Sequence, residues 1–284
     1  MSFSKYLIIA LASYLIEIEA HASDLSAAKP DQTVVYKRVG DKELKIHVFL
    51  PKGHKPSDKR AAVVFFFGGG WVTGTPEQFY PQCRYLAERG MVAMSADYRV
   101  KLRDQTTPRE CVMDGKSAVR WLRKNAAKWG VDPAKIAGGG GSAGGHVAAA
   151  AANVDGFEEK GEDMSVSSRP NILLLFNPVY DNGPGGFGHK SVKDYWKQIS
   201  PMHNLGKHSP PTIVFLGDKD HHIPVATAKK YQQLMKDAEV RSDLHIYPNH
   251  KHGFFNLHKS REGFESTVVH MDRFLVSLGY LEKK

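Results

Sequence analysis

One glycine-rich run constrains the fold of this chain more than any other segment. It reads Ile-Ala-Gly-Gly-Gly-Gly-Ser-Ala-Gly-Gly-His over residues 136–146 and contains the pattern Gly-x-Ser-x-Gly around Ser142, with an Ala-rich segment after it. Glycines permit a sharp strand-to-helix turn that forces unfavourable φ and ψ angles and brings the strand close to the helix. The run therefore predicts a nucleophilic Ser142 at a helix N-terminus, where free N–H groups favour negative charge. A plain tight turn in a glycine-rich chain is the alternative interpretation.

Short apolar runs and amphipathic stretches alternate along the rest of the chain. The run 61–67 is continuous, as expected of a strand buried on both faces, and 33–39 with 43–50 resembles an antiparallel edge hairpin. The predicted strands are 33–39, 43–50, 61–67, 91–96, 136–138, 172–176, 212–216 and 243–247. The predicted helices, besides the one after Ser142, are 76–88, 108–125, 225–238 and 263–278. This order predicts an α/β fold in one domain, 23–284, with a mostly parallel central sheet of about eight strands and helices on both faces.

Two connections are longer than is usual in such a fold. Residues 153–170 are charged and Ser-rich, and residues 181–205 contain glycine and aromatic residues. Because connections of this length often carry function, we expect them to form a small lid over the site. A disordered surface loop is the alternative for the first.

The first 22 residues differ from the rest of the chain. Lys5 precedes an apolar run, 6–16, and the motif Ala20-His21-Ala22 matches a signal-peptidase cleavage site. We therefore expect a signal peptide over residues 1–22 and a secreted or periplasmic protein. The apolar run is too short for a permanent membrane anchor, and no later segment could cross a bilayer. An amphipathic N-terminal helix is the alternative.

Charge and cysteine content restrict the partners and the chemistry. The formal charge of +9 becomes +10 when the leader, with its one lysine and two glutamates, is removed. The basic residues are scattered and no nucleic-acid motif occurs, so we expect no nucleic-acid partner. Cys83 and Cys111 could pair in an exported protein, a question that the sequence leaves open. Neither lies at a strand–turn–helix junction, which disfavours a cysteine nucleophile.

A nucleophilic serine needs a histidine base and a carboxylate that orients the histidine. Asp220 follows the strand 212–216 and His252 follows the strand 243–247, so both lie at the carboxyl ends of late strands. Asp218 and His250 are the competing candidates. We favour Asp220 because it precedes an Ile-Pro step into the next helix. We favour His252 because the following glycine leaves room for its ring to reach Ser142.

Backbone amides that could bind a developing oxyanion are also predicted. Ala143, the residue after Ser142, supplies one amide, and the glycines at the end of the strand 61–67 supply Gly69 and Gly70. A flexible loop is the alternative interpretation of those glycines. Three of them directly at the end of a buried strand make an oxyanion loop the better interpretation.

Taken together, these motifs resemble one enzyme family. They are Phe67-Gly68-Gly69-Gly70-Trp71, Asp97-Tyr98-Arg99, Gly140-Gly141-Ser142-Ala143-Gly144-Gly145-His146, Gly217-x-x-Asp220 and His252-Gly253-Phe254. Their order over about residues 33–280 is similar to that in the hormone-sensitive-lipase-like esterases of the α/β-hydrolase superfamily, and most of all to the bacterial acetyl-xylan and feruloyl-esterase-like members. The resemblance implies Ser142, Asp220 and His252 as the catalytic triad, and Gly69, Gly70 and Ala143 as the oxyanion hole.

The chain departs from that family at one position. Many relatives have histidine where this chain has Phe67, and a phenyl ring cannot make the hydrogen bonds with which an imidazole braces the loop. We therefore expect the loop to be held by packing, with help from Asp97 or Arg99.

The resulting functional prediction is a serine carboxylic-ester hydrolase. The resemblance and the leader favour acetyl or feruloyl esters of carbohydrate, such as polysaccharide, followed by short-chain acyl esters. We expect Trp71, Tyr98 and Tyr180 to shape the substrate pocket, and we expect no cofactor. The neighbouring histidines His221, His222, His250 and His252 lack the spacing of a metal site, so none is predicted. A serine peptidase of the same fold and a catalytically silent binding protein are the alternatives.

Overall fold

The structure, a computed structural model, describes residues 25–283. The predicted leader, 1–22, lies outside the described residues. Within residues 25–283, no helix combines the length and the apolar character that a membrane crossing requires.

The domain is built on one sheet of eight strands. In sheet order they are β1 (Gln32–Val39), β2 (Lys42–Phe49), β4 (Val92–Ala96), β3 (Arg60–Phe66), β5 (Val131–Gly141), β6 (Ile172–Phe176), β7 (Thr212–Gly217) and β8 (Ser242–Tyr247). β2 pairs antiparallel with β1 and with β4, and all other pairs are parallel. The carboxyl ends of β3, β5, β6, β7 and β8 therefore meet at one edge, where ligands bind in folds of this kind.

Helices cover both faces of this sheet. The longer ones are α1 (Tyr80–Glu88), α2 (Pro108–Lys124), α3 (Ala143–Asn153), α4 (Val225–Asp237) and α5 (Arg261–Ser277). Short helices span Lys101–Asp104, His189–Val192 and Trp196–Ile199, and 3₁₀ turns span Pro76–Phe79 and Pro201–Asn204. α2, α3 and α4 bury apolar side chains in one core, and α1 and α5 bury theirs in the core on the opposite face. Alternation along β3 sends Val64 to the first core and Phe65 to the second.

The sequence-based fold prediction is confirmed, with differences in detail. The strand before Ser142 was predicted over 136–138 but spans Val131–Gly141. Its first residues were missed because they include Asp132, Pro133 and Lys135, and the pairing to β3 shifts register between Arg60 and Ala62. The predicted helix 76–88 divides into a 3₁₀ turn and α1.

The open question of a disulfide is answered by topology. Cys83 on α1 and Cys111 on α2 are both buried free thiols, and they belong to the cores on opposite faces of the sheet. The sheet separates them, so they cannot pair without unfolding the domain.

The two long connections have different positions. Residues 181–205 carry two short helices and place Phe187 over the cleft described below. Residues 153–170 contribute no lining residue to that cleft. Instead, Glu158 and Glu162 of this connection form ion pairs with Arg120 on α2. These ion pairs hold the connection against the domain, so it does not form a lid over the cleft.

Candidate active site

Ser142 occupies a strained turn between β5 and α3. Its φ of 54° and ψ of −119° lie outside the regions that non-glycine residues favour, a strain that characteristically marks functional positions. The backbone fixes the turn, since Ser142 N donates to Phe176 O over 2.9 Å and Ser142 O accepts from the amide of Val179 over 3.1 Å. Its hydroxyl does not cap the helix.

Close packing explains the glycine two residues after Ser142. A Cβ at Gly144 would lie 2.0 Å from the carbonyl oxygen of Phe66 on β3. Only a glycine lets α3 begin so near the neighbouring strand. The pattern that suggested the turn is therefore required by the distance between helix and sheet.

His252 and Asp220 are hydrogen-bonded at the same edge of the sheet. His252 Nδ1 lies 2.7 Å from Asp220 Oδ2, and the Asp220 side chain is fully buried whereas that of His252 is 22% exposed. The other oxygen of Asp220 accepts from the backbone amides of His222 and Ile223. Burial by itself raises the pKa of Asp220, but the hydrogen bonds from His252 and these amides outweigh it, so the pKa lies below its ordinary value. The ionised carboxylate therefore fixes the His252 tautomer with its proton on Nδ1.

The competing candidates are engaged elsewhere. Asp218 Oδ1 accepts from the backbone amide of Asn249 over 2.7 Å and so ties the loop after β7 to the loop after β8. His250 packs against the rings of Tyr247 and Phe254.

A buried asparagine at the end of β6 also contacts His252. Asn177 is fully buried, has a φ of 35°, and places Nδ2 at 3.5 Å from His252 Nε2. Its Oδ1 accepts from the backbone amide of Gly253 over 2.8 Å. Sequence reasoning missed this residue, although its position at a strand end, like those of Asp220 and His252, was an available signal.

The predicted oxyanion amides are those of Gly69, Gly70 and Ala143. Within residues 25–283, the amides of Gly69, Gly70 and Ala143 donate to no protein acceptor. A Cβ at Gly69, whose φ is 121°, would lie 2.0 Å from Thr73 O, so the loop can fold back on itself only with glycine there. Unpaired amides beside a serine hydroxyl can bind a substrate oxygen that gains negative charge.

Packing and two hydrogen bonds brace the loop 67–71, which carries the predicted oxyanion amides of Gly69 and Gly70. The ring of Phe67 stacks on Tyr98 at 4.1 Å between centroids, and the Tyr98 hydroxyl donates to Phe67 O over 2.7 Å. Gly68 N donates to Oε1 of Gln78 over 2.5 Å. Burial raises the pKa of Tyr98 well above its ordinary value, so this brace stays protonated.

The expected bracing by packing is thus present, but the expected help from Asp97 or Arg99 is not. Asp97 Oδ1 accepts from Tyr98 N and Arg103. Arg99 is bound to the buried Asp114 of α2. Gln78, which the sequence analysis did not single out, makes the contact instead.

The cleft above Ser142 has a volume of about 1010 Å³. Of the predicted groups, Ser142, His252, Gly69 and Gly70 line it, and Asp220 lies behind His252, to which it is hydrogen-bonded. Its wall is mixed in character, with the aromatic and polar side chains Glu77, Gln78, Tyr80, Phe187, His222, Phe255 and Lys259.

The three predicted pocket residues lie elsewhere, and this prediction needs correction. Tyr98 and Tyr180 are fully buried in the core, where Tyr98 braces Phe67 and Tyr180 stacks on Tyr231 at 4.5 Å. Trp71 is buried too, with its ring against His146 at 5.0 Å. All three rings lie within a few residues of a strand end at this edge of the sheet, but they pack into the core.

The loops after β7 and β8 carry four histidines, His221, His222, His250 and His252. Among the described residues, no group of three His, Cys, Asp or Glu side chains could hold a metal ion. His222 packs edge-to-face on His252, with centroids 4.9 Å apart, rather than converging with it on a common point.

Comparisons with known proteins extend over most of this domain. The BD-FAE family model matches residues 46–174, and the dienelactone hydrolase family model matches residues 189–275. Esterase LipC of Mycobacterium tuberculosis is 30% identical over 230 residues, which are 73% of this chain and 56% of LipC. The probable carboxylic ester hydrolase LipM of the same organism is 28% identical over 238 residues, which are 74% of this chain and 53% of LipM. The chain spans about half the length of these curated relatives.

Solved structures match along nearly their full length. The apo form of Thermogutta terrifontis esterase 2 is 43% identical with a TM-score of 0.86, and the match covers 89% of this chain and 96% of that chain. The same esterase phosphorylated by paraoxon is 42% identical with a TM-score of 0.85 and the same coverage. The similarity therefore includes the sheet, its helices and the edge that carries the cleft.

Proposed function

This chain belongs to the hormone-sensitive-lipase-like branch of the α/β-hydrolase superfamily, and we propose that it is a serine carboxylic-ester hydrolase whose reaction is carried by Ser142, His252 and Asp220. The observation that carries this proposal is the 2.7 Å contact between His252 Nδ1 and Asp220 Oδ2, in a cleft whose floor is the strained Ser142.

The proposed reaction runs through an acyl-enzyme. Nε2 of His252 takes the proton of the Ser142 hydroxyl while Oγ attacks the ester carbonyl. The amides of Gly69, Gly70 and Ala143 bind the oxyanion. The leaving alkoxide takes the proton from His252, and water, activated by the same imidazole, then releases the acid and restores Ser142.

For the acyl group, short chains are the best-supported class. Thermogutta terrifontis esterase 2 has been solved with propionate and with butyrate bound. An acetyl group is smaller still, and a feruloyl group would add an aromatic ring that Tyr80, Phe187 and Phe255 of the cleft wall could contact.

For the alcohol, carbohydrate is the proposed class. The cleft wall carries hydrogen-bonding and charged side chains, among them Glu77 and Lys259, beside aromatic rings. Sugars present hydroxyls and apolar faces together, which such a mixed wall can bind. Acetyl or feruloyl esters of carbohydrate, including polysaccharide, are therefore proposed ahead of simple short-chain acyl esters.

Export is proposed on the leader alone. The apolar run 6–16 and the Ala20-His21-Ala22 motif favour removal of residues 1–22 and a secreted or periplasmic enzyme. N-terminal sequencing of the protein from culture medium and periplasm tests this, and a full-length protein confined to the cytoplasm would contradict it.

Hydrolysis of 4-nitrophenyl acetate by the wild type and by Ser142→Ala tests the reaction. We expect activity in the wild type, its loss in the variant, and full activity in Ser165→Ala, a control on the 153–170 connection. Undiminished activity in Ser142→Ala would contradict the assignment of the nucleophile. An inactive wild type would favour a binding protein, and faster cleavage of a peptide 4-nitroanilide would favour a peptidase.

Release of acetate and of ferulate from esterified polysaccharide tests the substrate class. We expect release of at least one. Failure on both, with 4-nitrophenyl acetate still cleaved, would remove the carbohydrate proposal and leave the esterase.

A further inference from the structure

We infer that Asn177 is a positioning residue for His252, which it holds in the form that can accept a proton at Nε2. This inference rests on the proposed function, because it gives His252 the role of base. The observations behind it are a fully buried amide side chain, its contact with the ring, and its bond to the backbone next to that ring.

The orientation of the Asn177 amide follows from its neighbours. The backbone N–H of Gly253 is a donor, so the atom that meets it at 2.8 Å must be the carbonyl oxygen Oδ1. The amide group Nδ2 then faces Nε2 of His252 at 3.5 Å. Exchanging the two ends would set a donor against the donor of Gly253 and leave a buried N–H unsatisfied.

An NH₂ group can only donate, and this selects one form of His252. It can interact favourably with Nε2 when that atom carries a lone pair, but it opposes the imidazolium, whose Nε2 carries a proton. Asp220 takes the proton on Nδ1 from the opposite side of the ring. In the neutral ring, Asp220 thus holds the proton on Nδ1, and Asn177 faces the lone pair of Nε2, the atom that is to accept the proton of the Ser142 hydroxyl.

The contact also affects the second half of the proton transfer. Once Nε2 carries the serine proton, Asn177 offers no acceptor to it, because Nδ2 faces the ring while Oδ1 faces Gly253 N. The proton is therefore directed to the leaving alcohol rather than to the protein. The bond to Gly253, the residue next to His252, fixes the ring position on which this depends.

Other charged and titratable groups lie around His252. Asp220 and His222 approach it from the loop after β7, and Lys259, which precedes α5, passes over Gly253. Glu77 lies on the opposite wall of the cleft. None of these four groups is altered by a substitution at Asn177. A shift in the pH profile of kcat/KM in such a variant is therefore attributed to the Asn177 side chain.

Asn177→Asp provides the test. One carboxylate oxygen keeps the bond from Gly253 N, while the other faces Nε2 and stabilises the imidazolium. We expect the acid limb of the pH profile of kcat/KM for 4-nitrophenyl acetate to move to higher pH by about 1–3 units, the effect of an opposite charge at this range. We expect kcat to fall at pH 7 with KM within about twofold of the wild type, because removing a group that acts in the transition state changes kcat.

Asn171→Asp is the matched control. Asn171 lies just before β6 at the opposite end of the strand, and its Oδ1 accepts from Ile136 N and Arg123, bonds that an aspartate retains. It introduces the same charge away from the cleft, so its acid limb should coincide with that of the wild type. Coincident limbs for the wild type and Asn177→Asp would overturn the inference.

Asn177→Leu keeps the inference testable if the aspartate variant does not fold. Leucine has a similar volume and removes the amide, so we expect lower kcat and an acid limb displaced upward by a smaller amount. An unshifted limb would again overturn the role of Asn177. The reaction itself is tested separately, since Ser142→Ala removes activity at every pH if the proposed function holds.

Discussion

Asp220 reaches His252 through one carboxylate oxygen at 2.7 Å, while its other oxygen is held by two backbone amides of its own loop. The orientation of the carboxylate is thus fixed by its own loop and does not depend on His252. Its orientation does not depend on a bound substrate, so it holds the histidine in position in the free protein.

Replacing this carboxylate should disable the base without disturbing the fold. Asp220→Asn presents an NH₂ group or a carbonyl to Nδ1 and no longer holds the ring in one tautomer. We expect kcat for 4-nitrophenyl acetate to fall by about 10⁴-fold. Asp218→Asn, which retains an oxygen for Asn249 N, is the control and should stay within about twofold of the wild type. Equal losses in both variants would contradict the choice of Asp220.

Gln78 should control the oxyanion loop. Gln78→Ala removes the acceptor of Gly68 N and lets the loop move. A displacement of 1 Å can cost about 100-fold, so we expect kcat to fall by about 10- to 100-fold with little change in KM. Steady-state kinetics beside Gln233→Ala, on the exposed face of α4, measure this effect. A kcat within twofold of the wild type would show that Phe67 and Tyr98 hold the loop unaided.

Gly144 should tolerate no side chain. In Gly144→Ala the new Cβ meets Phe66 O, and we expect the free energy of unfolding in urea to fall by about 3 kcal/mol or more, with loss of esterase activity. Gly279→Ala meets no atom within 4 Å and carries only the strain of its φ of 70°, a cost of about 1–2 kcal/mol. Full activity per folded molecule is expected there. Wild-type stability in Gly144→Ala would contradict the observed helix–sheet distance.

His146 on α3 should make the domain sensitive to acid. Burial lowers its pKa to about 4, whereas in the unfolded chain it titrates at about 6.5. Between these values the unfolded state binds the extra proton, so stability is lost as pH falls from 6.5 to 4, by on the order of 3 kcal/mol.

The comparison with His146→Gln measures this loss. Glutamine does not titrate and can still donate to Ile199 O, the partner of His146 Nε2. Urea unfolding at pH 7 and pH 4.5 should show a smaller decrease in the variant than in the wild type. Equal decreases would mean that other groups account for the acid sensitivity.

The features of the site that depend on local sequence patterns could be predicted from the sequence. Ser142, Asp220 and His252 each follow an apolar strand within a few residues, so chain order alone places them at one sheet edge. The interactions of Asn177 could not be obtained in that way, because its partner His252 is 75 positions away. Gln78 was missed for a related reason, since its amide acts on the loop ten residues before it.

Aromatic residues beside the motifs were the main error. Tyr98 and Tyr180 follow strand ends, where a large ring can face either a ligand or the core, and periodicity cannot separate the two. The hydroxyl group does not distinguish the two positions either, since a buried tyrosine can still donate a hydrogen bond, as Tyr98 does to the carbonyl oxygen of Phe67. Only the positions of neighbouring helices show that both rings point inward.

A phenol, rather than an imidazole, braces the loop that carries the predicted oxyanion amides. Because Tyr98 keeps its proton far into alkaline conditions, the loop has no ionisation of its own in the working range. A histidine at the position of Phe67 would add a second protonation equilibrium to that of His252. The shape of the loop therefore does not depend on pH. The logarithm of kcat/KM should fall on the acid side with a slope of one, as expected when a single base, His252, is protonated.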